Sequence, residues 1–258
     1  MKLRAIFLAT AAVMTFAGAA HAAQVAALVG TDTIAVVDTD QKKVTKTMKV
    51  TGLSGALLGI DVRPADGMLY GVTDDGSVVT IGMDGKATKK STLETMLAKG
   101  VVATIDFNPV ADRLRVMGSD GMNLRANVDD GKVTKDGSHK YASADMHNGE
   151  KPNIIAGAYT NSVKGTKTTA LYNIDATIGA LIKQVPPNDG VLNAVGKLGF
   201  KADTVAFDIW SDGTKNDAWL MAKDTLYSVN LETGKATEAA KIEGVSGEVR
   251  DIAILPAM

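Results

Sequence analysis

A unit of four short strands, repeated along the chain, limits the possible folds more than any other feature. Residues 59–64 read GIDVRP and residues 104–109 read TIDFNP. After each stretch come segments with strand-like alternation, separated by Asp-Gly pairs that predict tight hairpins. Aligning Asp61, Asp106, Tyr159, Asp208 and Ala253 gives spacings of 45, 53, 49 and 45 residues. Four-stranded repeats of this length predict the blades of a β-propeller.

The two ends of the chain each supply part of one further unit. Segments 25–29, 33–38 and 43–48 make only its last three strands, and segment 250–255 resembles its missing first strand. Joining them would close the ring and hide its edges. We therefore predict an all-β fold, a single propeller of five four-stranded blades closed by the C-terminal strand. Six blades remain open if residues 160–199 contain another unit. A capping-box pattern at Ser91 and Glu94 predicts a short helix over residues 91–99.

The first residues of the chain predict export. Lys2 and Arg4 precede an uncharged, mostly apolar segment at residues 5–17, and residues 20–22 read AHA, a pattern typical of a signal peptide and its cleavage site. We predict a signal peptide at residues 1–22 and a propeller domain at residues 23–258, in the periplasm or secreted. An uncleaved anchor is the alternative. The chain has no cysteine, which excludes a lipidated cysteine, disulfides and thiolate metal sites.

The charges of the chain are balanced. Removing Lys2 and Arg4 lowers the number of basic residues from 28 to 26, against 29 acidic residues, for a net charge of −3. This balance predicts no electrostatic surface for nucleic acid or anionic lipid. No segment after the leader is long and apolar enough to span a membrane. We expect a monomer without a cofactor, whose partner is a small anionic ligand or another envelope protein.

Several motifs resemble a known family. They are GIDVRPADGMLYGV at residues 59–72, DFNPVADRLRV at 106–116 and NLRANVDDG at 123–131, with AYTN, TALYNID and PPNDG between residues 158 and 190. In these motifs the chain is similar to the exported bacterial proteins of the domain-of-unknown-function 4394 family. The similarity covers nearly all of the chain after the leader and is looser after residue 190. It implies a β-propeller and brings no established activity.

The third unit has an unusually polar strand face. Side chains alternate along a strand, so leucine, valine and alanine share one face while arginine and asparagine share the other. Two interpretations remain open: a lattice in which the arginines pair with Asp61, Asp106, Asp112 or Asp208, and a site for an anionic ligand. On the second, we predict an exported binding or interaction module whose site comprises Asp106, Asn108, Arg113, Arg115, Asn123, Arg125, Tyr159 and Asn161.

Two further classes of function stay open. Asp61, Asp106 and Asp208 recur at equivalent positions and could serve a glycosidase-like hydrolase, although this rests on fold analogy and repetition favours a structural tie. An aromatic content of 5% leaves few rings to stack on sugars. The other class is a purely structural scaffold. We predict no catalytic residue. We also predict no metal site, because no segment has calcium-loop spacing. His139 and His147 are expected in a solvated linker, and residues 186–190 in a protruding loop.

Overall fold

The computed structural model of this protein describes residues 24–201 and 203–256. Five sheets are arranged as a five-bladed β-propeller, which confirms the predicted fold class. The predicted signal peptide at residues 1–22 lies outside the described residues. In the part of the chain that the structure describes, no helix has the length and apolar character needed to cross a membrane.

Each blade is a sheet whose innermost strand lies against the ring axis. The first blade consists of β1 (Gln24–Val29), β2 (Thr33–Asp38), β3 (Lys43–Lys49) and the last strand of the chain, β21 (Val249–Ile254). The second consists of β4 (Leu57–Val62), β5 (Leu69–Thr73), β6 (Ser77–Ile81) and β7 (Ala87–Thr92). The third consists of β8 (Ala103–Asn108), β9 (Arg113–Gly118), β10 (Asn123–Ala126) and β11 (Val133–Lys135).

The last two blades complete the ring. The fourth consists of β12 (Lys140–Tyr141), β13 (Ile154–Tyr159), β14 (Leu171–Asp175), β15 (Ala180–Gln184) and β16 (Val191–Lys197). The fifth consists of β17 (Ala206–Ser211), β18 (Asn216–Ala222), β19 (Thr225–Val229) and β20 (Ala236–Lys241). In the fourth blade β12 pairs with β16 in parallel and adds a fifth strand. The segment 160–199 therefore belongs to one blade, and the six-blade alternative is wrong.

The terminal strands close the ring as predicted. β21 pairs antiparallel with β1, with Ala26 opposite Ala253 and Ala27 opposite Ile252. The five inner strands β4, β8, β13, β17 and β21 contact one another in sequence, and β21 contacts β4. Hairpins turn at the Asp-Gly pairs, where Gly121 and Gly131 take φ angles of 95° and 77° that other residues rarely adopt. The helix predicted over residues 91–99 is wrong, because β7 continues to Thr92 and Ser91 Oγ donates to the Val128 carbonyl oxygen at 2.7 Å.

The core lies between the blades. Apolar clusters join blades 1 and 2, blades 2 and 3, blades 4 and 5, and blades 5 and 1. The seam between blades 3 and 4 differs, because buried polar side chains lie there beside smaller apolar clusters. This seam contains the polar face of the third unit, so the predicted division of that unit into an apolar and a polar face is confirmed.

Candidate functional site

Four inner strands carry an aspartate that accepts a backbone N–H from the neighbouring blade. Asp61 Oδ2 accepts from Phe107 at 2.6 Å, and Asp106 Oδ1 accepts from Tyr159 at 2.9 Å. Asp208 Oδ2 accepts from Ile254 at 2.7 Å, and Asp251 Oδ2 accepts from Ile60 at 2.9 Å. These bonds link blade 2 to 3, 3 to 4, 5 to 1 and 1 to 2. The aspartates therefore tie the blades together.

The register of these bonds revises the alignment of the repeats. Asp106 bonds the Tyr159 N–H as Asp61 bonds the Phe107 N–H, so Ala158, and not Tyr159, occupies the aspartate position in blade 4. In blade 1 the equivalent position is Ala253, and Asp251 lies two residues earlier on the same strand face. A Cβ on Gly59 would lie 2.6 Å from Asp251 Oδ2. The glycine in the second repeat therefore makes room for the carboxylate of the first blade.

Three of these carboxylates form a buried cluster at the ring axis. One oxygen from each of Asp61, Asp106 and Asp208 lies within 4.8 Å of the others. Among the described residues, none of the four aspartates forms an ion pair with a basic side chain. Burial, reinforced by the neighbouring carboxylates, raises the pKa of Asp61, Asp106 and Asp251 well above its usual value. Burial alone raises the pKa of Asp208 to about 6.

The pH dependence of stability follows from these raised pKa values. A carboxyl whose folded pKa exceeds its unfolded value, roughly 4, binds protons more tightly when the protein is folded. Its contribution to the free energy of unfolding therefore becomes more favourable as the pH falls through the folded pKa. We expect the protein to be more stable at pH 5 than at pH 8. Below about pH 4 the gain should reverse, because hydrogen bonds from neighbouring groups lower the pKa of other carboxylates, such as Asp38 and Asp212.

The substitution Asp106→Asn tests the repulsion between the buried carboxylates at the ring axis. Asp106 Oδ1 accepts the Tyr159 N–H, while Oδ2 accepts no hydrogen bond from the described residues. An amide therefore keeps the tie and removes a charge. Two charges about 5 Å apart repel by roughly 3 kcal/mol at an effective dielectric constant of 20, so we expect a gain of about 1–3 kcal/mol at pH 8. Urea unfolding at pH 8 and pH 5 measures it, and the gain should shrink at pH 5.

Asp208→Asn is the matched control. Both oxygens of Asp208 accept backbone N–H bonds, from Ile209 at 2.6 Å and Ile254 at 2.7 Å. An amide nitrogen at either position would face a donor, so this variant should lose stability. Equal effects of the two substitutions, or a gain in Asp106→Asn that is independent of pH, would show that charge repulsion at the axis is unimportant.

The arginine face of the third unit forms a buried lattice. Arg115 is 1% exposed, and its guanidinium donates to Asp136 Oδ2 at 2.6 Å and to Asn123 Oδ1 at 2.9 Å. It also donates to the Tyr159 hydroxyl at 3.1 Å and to Asn188 Oδ1 at 2.8 Å in blade 4. Arg125 forms a two-point contact with the same Asp136. Arg115 and Arg125 are therefore paired, but with Asp136 and not with the aspartates that the sequence suggested.

Asp112 pairs with a residue that sequence reasoning missed. Arg63 of blade 2 holds Asp112 of blade 3 through two bonds of 2.8 and 2.6 Å, and Asp129 through two bonds of 3.1 and 2.9 Å. The hydrogen bonds to Asp112, and to a smaller extent those to Asp129, raise the pKa of Arg63 above its usual value. The sequence does contain a signal for Arg63, because this charged residue stands directly before Pro64 in a repeat otherwise rich in core formers.

The remaining predicted residues are dispersed. Among the described residues, Arg113 donates only to the carbonyl oxygens of Ala111 and Asp112. Asn108 Oδ1 accepts two N–H bonds of its own turn. Asn161, with a φ of 56°, exchanges hydrogen bonds of 2.6 and 2.8 Å with Asn216 of blade 5. The eight predicted site residues therefore do not line one open pocket.

Two predicted loops pack into the seam between blades 3 and 4. The segment 187–189 forms a short 3-10 helix whose Pro187 carbonyl accepts bonds from Asn123 and Gln184, while Pro186, Asn188 and Asp189 stay exposed. His139 is buried, and neither ring nitrogen has a partner among the described residues. Burial, aided by the charge of Arg115, lowers the pKa of His139 to about 4. The expectation of a solvated His139 is wrong.

A cavity of about 290 Å³ opens at one mouth of the central channel. Asp61 and Asp208 contribute to its lining, Trp210 and Ser211 line it beside them, and the 162–164 loop covers one side. The Asn161–Asn216 pair anchors that loop to blade 5. Residues from four blades meet here, since Ile254, Leu255 and Pro256 belong to the end of blade 1. The size is close to the lower limit for small-ligand pockets, roughly 300 Å³.

The ring and this cavity define a single-domain β-propeller with a small pocket at one end of its channel. Residues 33–253 match the family model described as "Domain of unknown function (DUF4394)", and the chain belongs to that family. This confirms the resemblance found in the sequence. No curated protein matches the chain.

Two solved structures are similar at low identity. A protein of unknown function from Bacteroides caccae is 14% identical, with a TM-score of 0.46, over 88% of this chain and 77% of that one. The computationally designed Ika8 protein is 13% identical, with a TM-score of 0.40, over 88% of this chain and 64% of that one.

Proposed function

We propose that this propeller is an exported, non-catalytic binding module whose ligand occupies the channel mouth. The main observation that supports this proposal is the cavity, because residues that are distant in sequence and belong to four blades line it together. A rigid ring that presents converging polar and aromatic groups at one end suits recognition of a small molecule. Export is supported by the pattern of residues 1–22, with its basic start, apolar segment and small residues at the expected cleavage position.

The pocket combines groups that fix a polar ligand. Two buried carboxyls form its floor, the Trp210 indole offers an aromatic surface, and Lys164 adds a charge at the exposed side. Aromatic rings contribute area and carboxyls contribute directional acceptors. We infer a compact ligand with hydrogen-bond donors that reaches the floor while an apolar or ring portion packs on Trp210.

The arginine face is a weaker candidate for the anionic ligand. The Arg115 guanidinium already donates to four side chains. An anion would have to displace Asp136 or contact only Arg125, whose side chain is 30% exposed. Two guanidiniums share one carboxylate there, so one positive charge remains available. We place anion binding at Arg125 second to the channel mouth.

Catalysis by the axial aspartates has less support. Glycosidases need an acid and a second carboxylate that are free to act on the substrate. Here each of the three carboxylates accepts a backbone N–H from another blade. These contacts fit a structural role in holding the ring closed.

Binding at the channel mouth can be measured by fluorescence. The chain has two tryptophans, so Trp219→Phe leaves Trp210 as the reporter beside the cavity. In that background we expect saturable quenching by at least one of spermidine, glucose and citrate, which represent cationic, neutral and anionic ligands. Val163→Phe should abolish it by filling the cavity.

Val110→Phe provides the control, because Val110 is an exposed valine outside the cavity. It should leave the titration unchanged. Binding that survives Val163→Phe, or no response to any of the three probes, would contradict a site at the channel mouth.

A further inference from the structure

The outer edges of blades 1 and 2 concentrate positive charge. Residues 42–49 and 86–92 contain no acidic residue and seven lysines, all exposed: Lys42, Lys43, Lys46, Lys49, Lys86, Lys89 and Lys90. The two edges adjoin, because Thr51 donates to the Gly85 carbonyl at 2.9 Å and Ala87 donates to the Thr51 carbonyl at 2.9 Å. The lysines therefore form one basic rim across two blades, in which Lys49 is paired with Asp32 at 3.2 Å.

Edge protection alone does not account for this distribution. Lysines on edge strands discourage pairing with other chains, and every blade of a propeller has such an edge. The outer strand of blade 5 instead mixes Glu238 with Lys241, and β11 carries a single lysine. The concentration on two adjoining blades calls for a separate cause.

An apolar cleft opens beside the basic rim. Its volume is about 570 Å³, and it lies at the seam of blades 1 and 2 between Met68, Met83 and Leu255. Met68 and Met83 are 46% and 40% exposed, two of the six large apolar side chains with high exposure among the described residues. Lys86 lines the same cleft, and Lys46 Nζ donates to the Met83 carbonyl at 2.6 Å. Exposed apolar side chains thus lie beside Lys46 and Lys86, and Asp84 also lines the cleft.

We propose that this surface docks the protein on an anionic phospholipid bilayer. Lipid phosphates would contact the lysines, since juxtaposed lysines are attracted to the negative surface of a membrane. The flexible methionines would enter the interfacial region, as exposed apolar side chains do in peripheral membrane proteins. The near-zero net charge predicted no such surface, because it averages the basic rim with acidic segments elsewhere in the ring.

The proposal also orients the ring. The cleft shares Gly67, Leu255 and Pro256 with the cavity at the channel mouth. Docking through the cleft would therefore bring the channel mouth close to the membrane surface. The proposal does not depend on a ligand in that cavity, because it rests on the rim and the methionines.

Sedimentation with lipid vesicles tests the proposal. The chain from Ala23, which contains all 21 strands, should bind vesicles of about one-third phosphatidylglycerol and should not bind pure phosphatidylcholine. Raised salt should weaken binding by screening. The triple variant Lys43→Glu, Lys86→Glu, Lys89→Glu should bind about 100-fold more weakly, and Met83→Ser should bind more weakly at unchanged salt dependence.

Lysines elsewhere on the ring provide the control. The triple variant Lys132→Glu, Lys215→Glu, Lys223→Glu changes the net charge equally at exposed positions outside the rim. It should keep most of the binding, and thermal melts should show that both triple variants fold. Equal loss in the two variants, equal binding to both lipids, or preference for duplex DNA over the vesicles would overturn the proposal.

Discussion

Deleting residues 250–258 should abolish cooperative folding of the propeller. The deletion removes most of β21, which closes the ring against β1. Ile252 and Ile254 are buried in the cluster between blades 5 and 1, and burying two such side chains contributes roughly 3–6 kcal/mol. That is a large part of the roughly 5–15 kcal/mol that stabilises a typical domain. The deletion also removes Asp251 and the Ile254 N–H, which tie blade 1 to blades 2 and 5.

Thermal unfolding followed by circular dichroism measures this effect. We expect poor solubility and no sharp transition, because the edge of β1 becomes free to pair with other chains. Deleting only residues 257–258, beyond the last strand, is the control and should leave the melting curve unchanged. A chain without residues 250–258 that melts cooperatively near the normal temperature would refute closure by β21.

Arg115→Ala should destabilise the protein by about 3–5 kcal/mol, as expected when one partner of a buried ion pair is removed. Asp136, whose side chain is 5% exposed, would keep Arg125 as its one ion-pair partner in the described part of the chain. Asn123, Asn188 and the Tyr159 hydroxyl would each lose a donor at the seam of blades 3 and 4. Arg115→Lys should recover only part of the loss, because an ammonium group cannot reach the four acceptors that the planar guanidinium bonds.

Urea unfolding of these variants and of Arg113→Ala provides the comparison. Arg113 lies on the same strand and bonds only the carbonyls of its own turn, so its loss should change stability by less than about 1 kcal/mol. If Arg115→Ala costs no more than Arg113→Ala, the arginine lattice does not hold blades 3 and 4 together.

The local sequence patterns predicted the blades because strand alternation and hairpin turns depend on residues that are close together in the chain. Alternation in the third unit gave the correct faces for Leu114 and Arg115, and the Asp-Gly pairs gave the correct hairpins. The same logic joined the two chain ends into one blade. The weaker signal failed at residues 91–99, where pairing of Ser91 with Val78 continued the strand and outweighed the capping-box pattern.

Partners across the seams could not be predicted in the same way. Alternation states which face a side chain occupies, but the carboxylate that meets Arg115 is fixed by the path of the chain after β11. His139 shows the same limit. Its polar neighbours in sequence predicted solvent exposure, yet the parallel pairing of β12 with β16 draws the linker into the seam. The channel cavity likewise depends on residues from four blades and has no sequence motif.

The aspartate ties give the ring a built-in set of reporters for breathing motions. The amides of Ile60, Phe107, Tyr159 and Ile254 are held by carboxylates of a neighbouring blade and not by their own sheet. Their hydrogen exchange with solvent therefore requires two blades to move apart, even when each sheet stays intact. Ala158 leaves the step from blade 4 to blade 5 without such a tie. If blades 4 and 5 separate, none of these four amides becomes exposed. Hydrogen exchange of the four amides would therefore not detect the opening of that one seam.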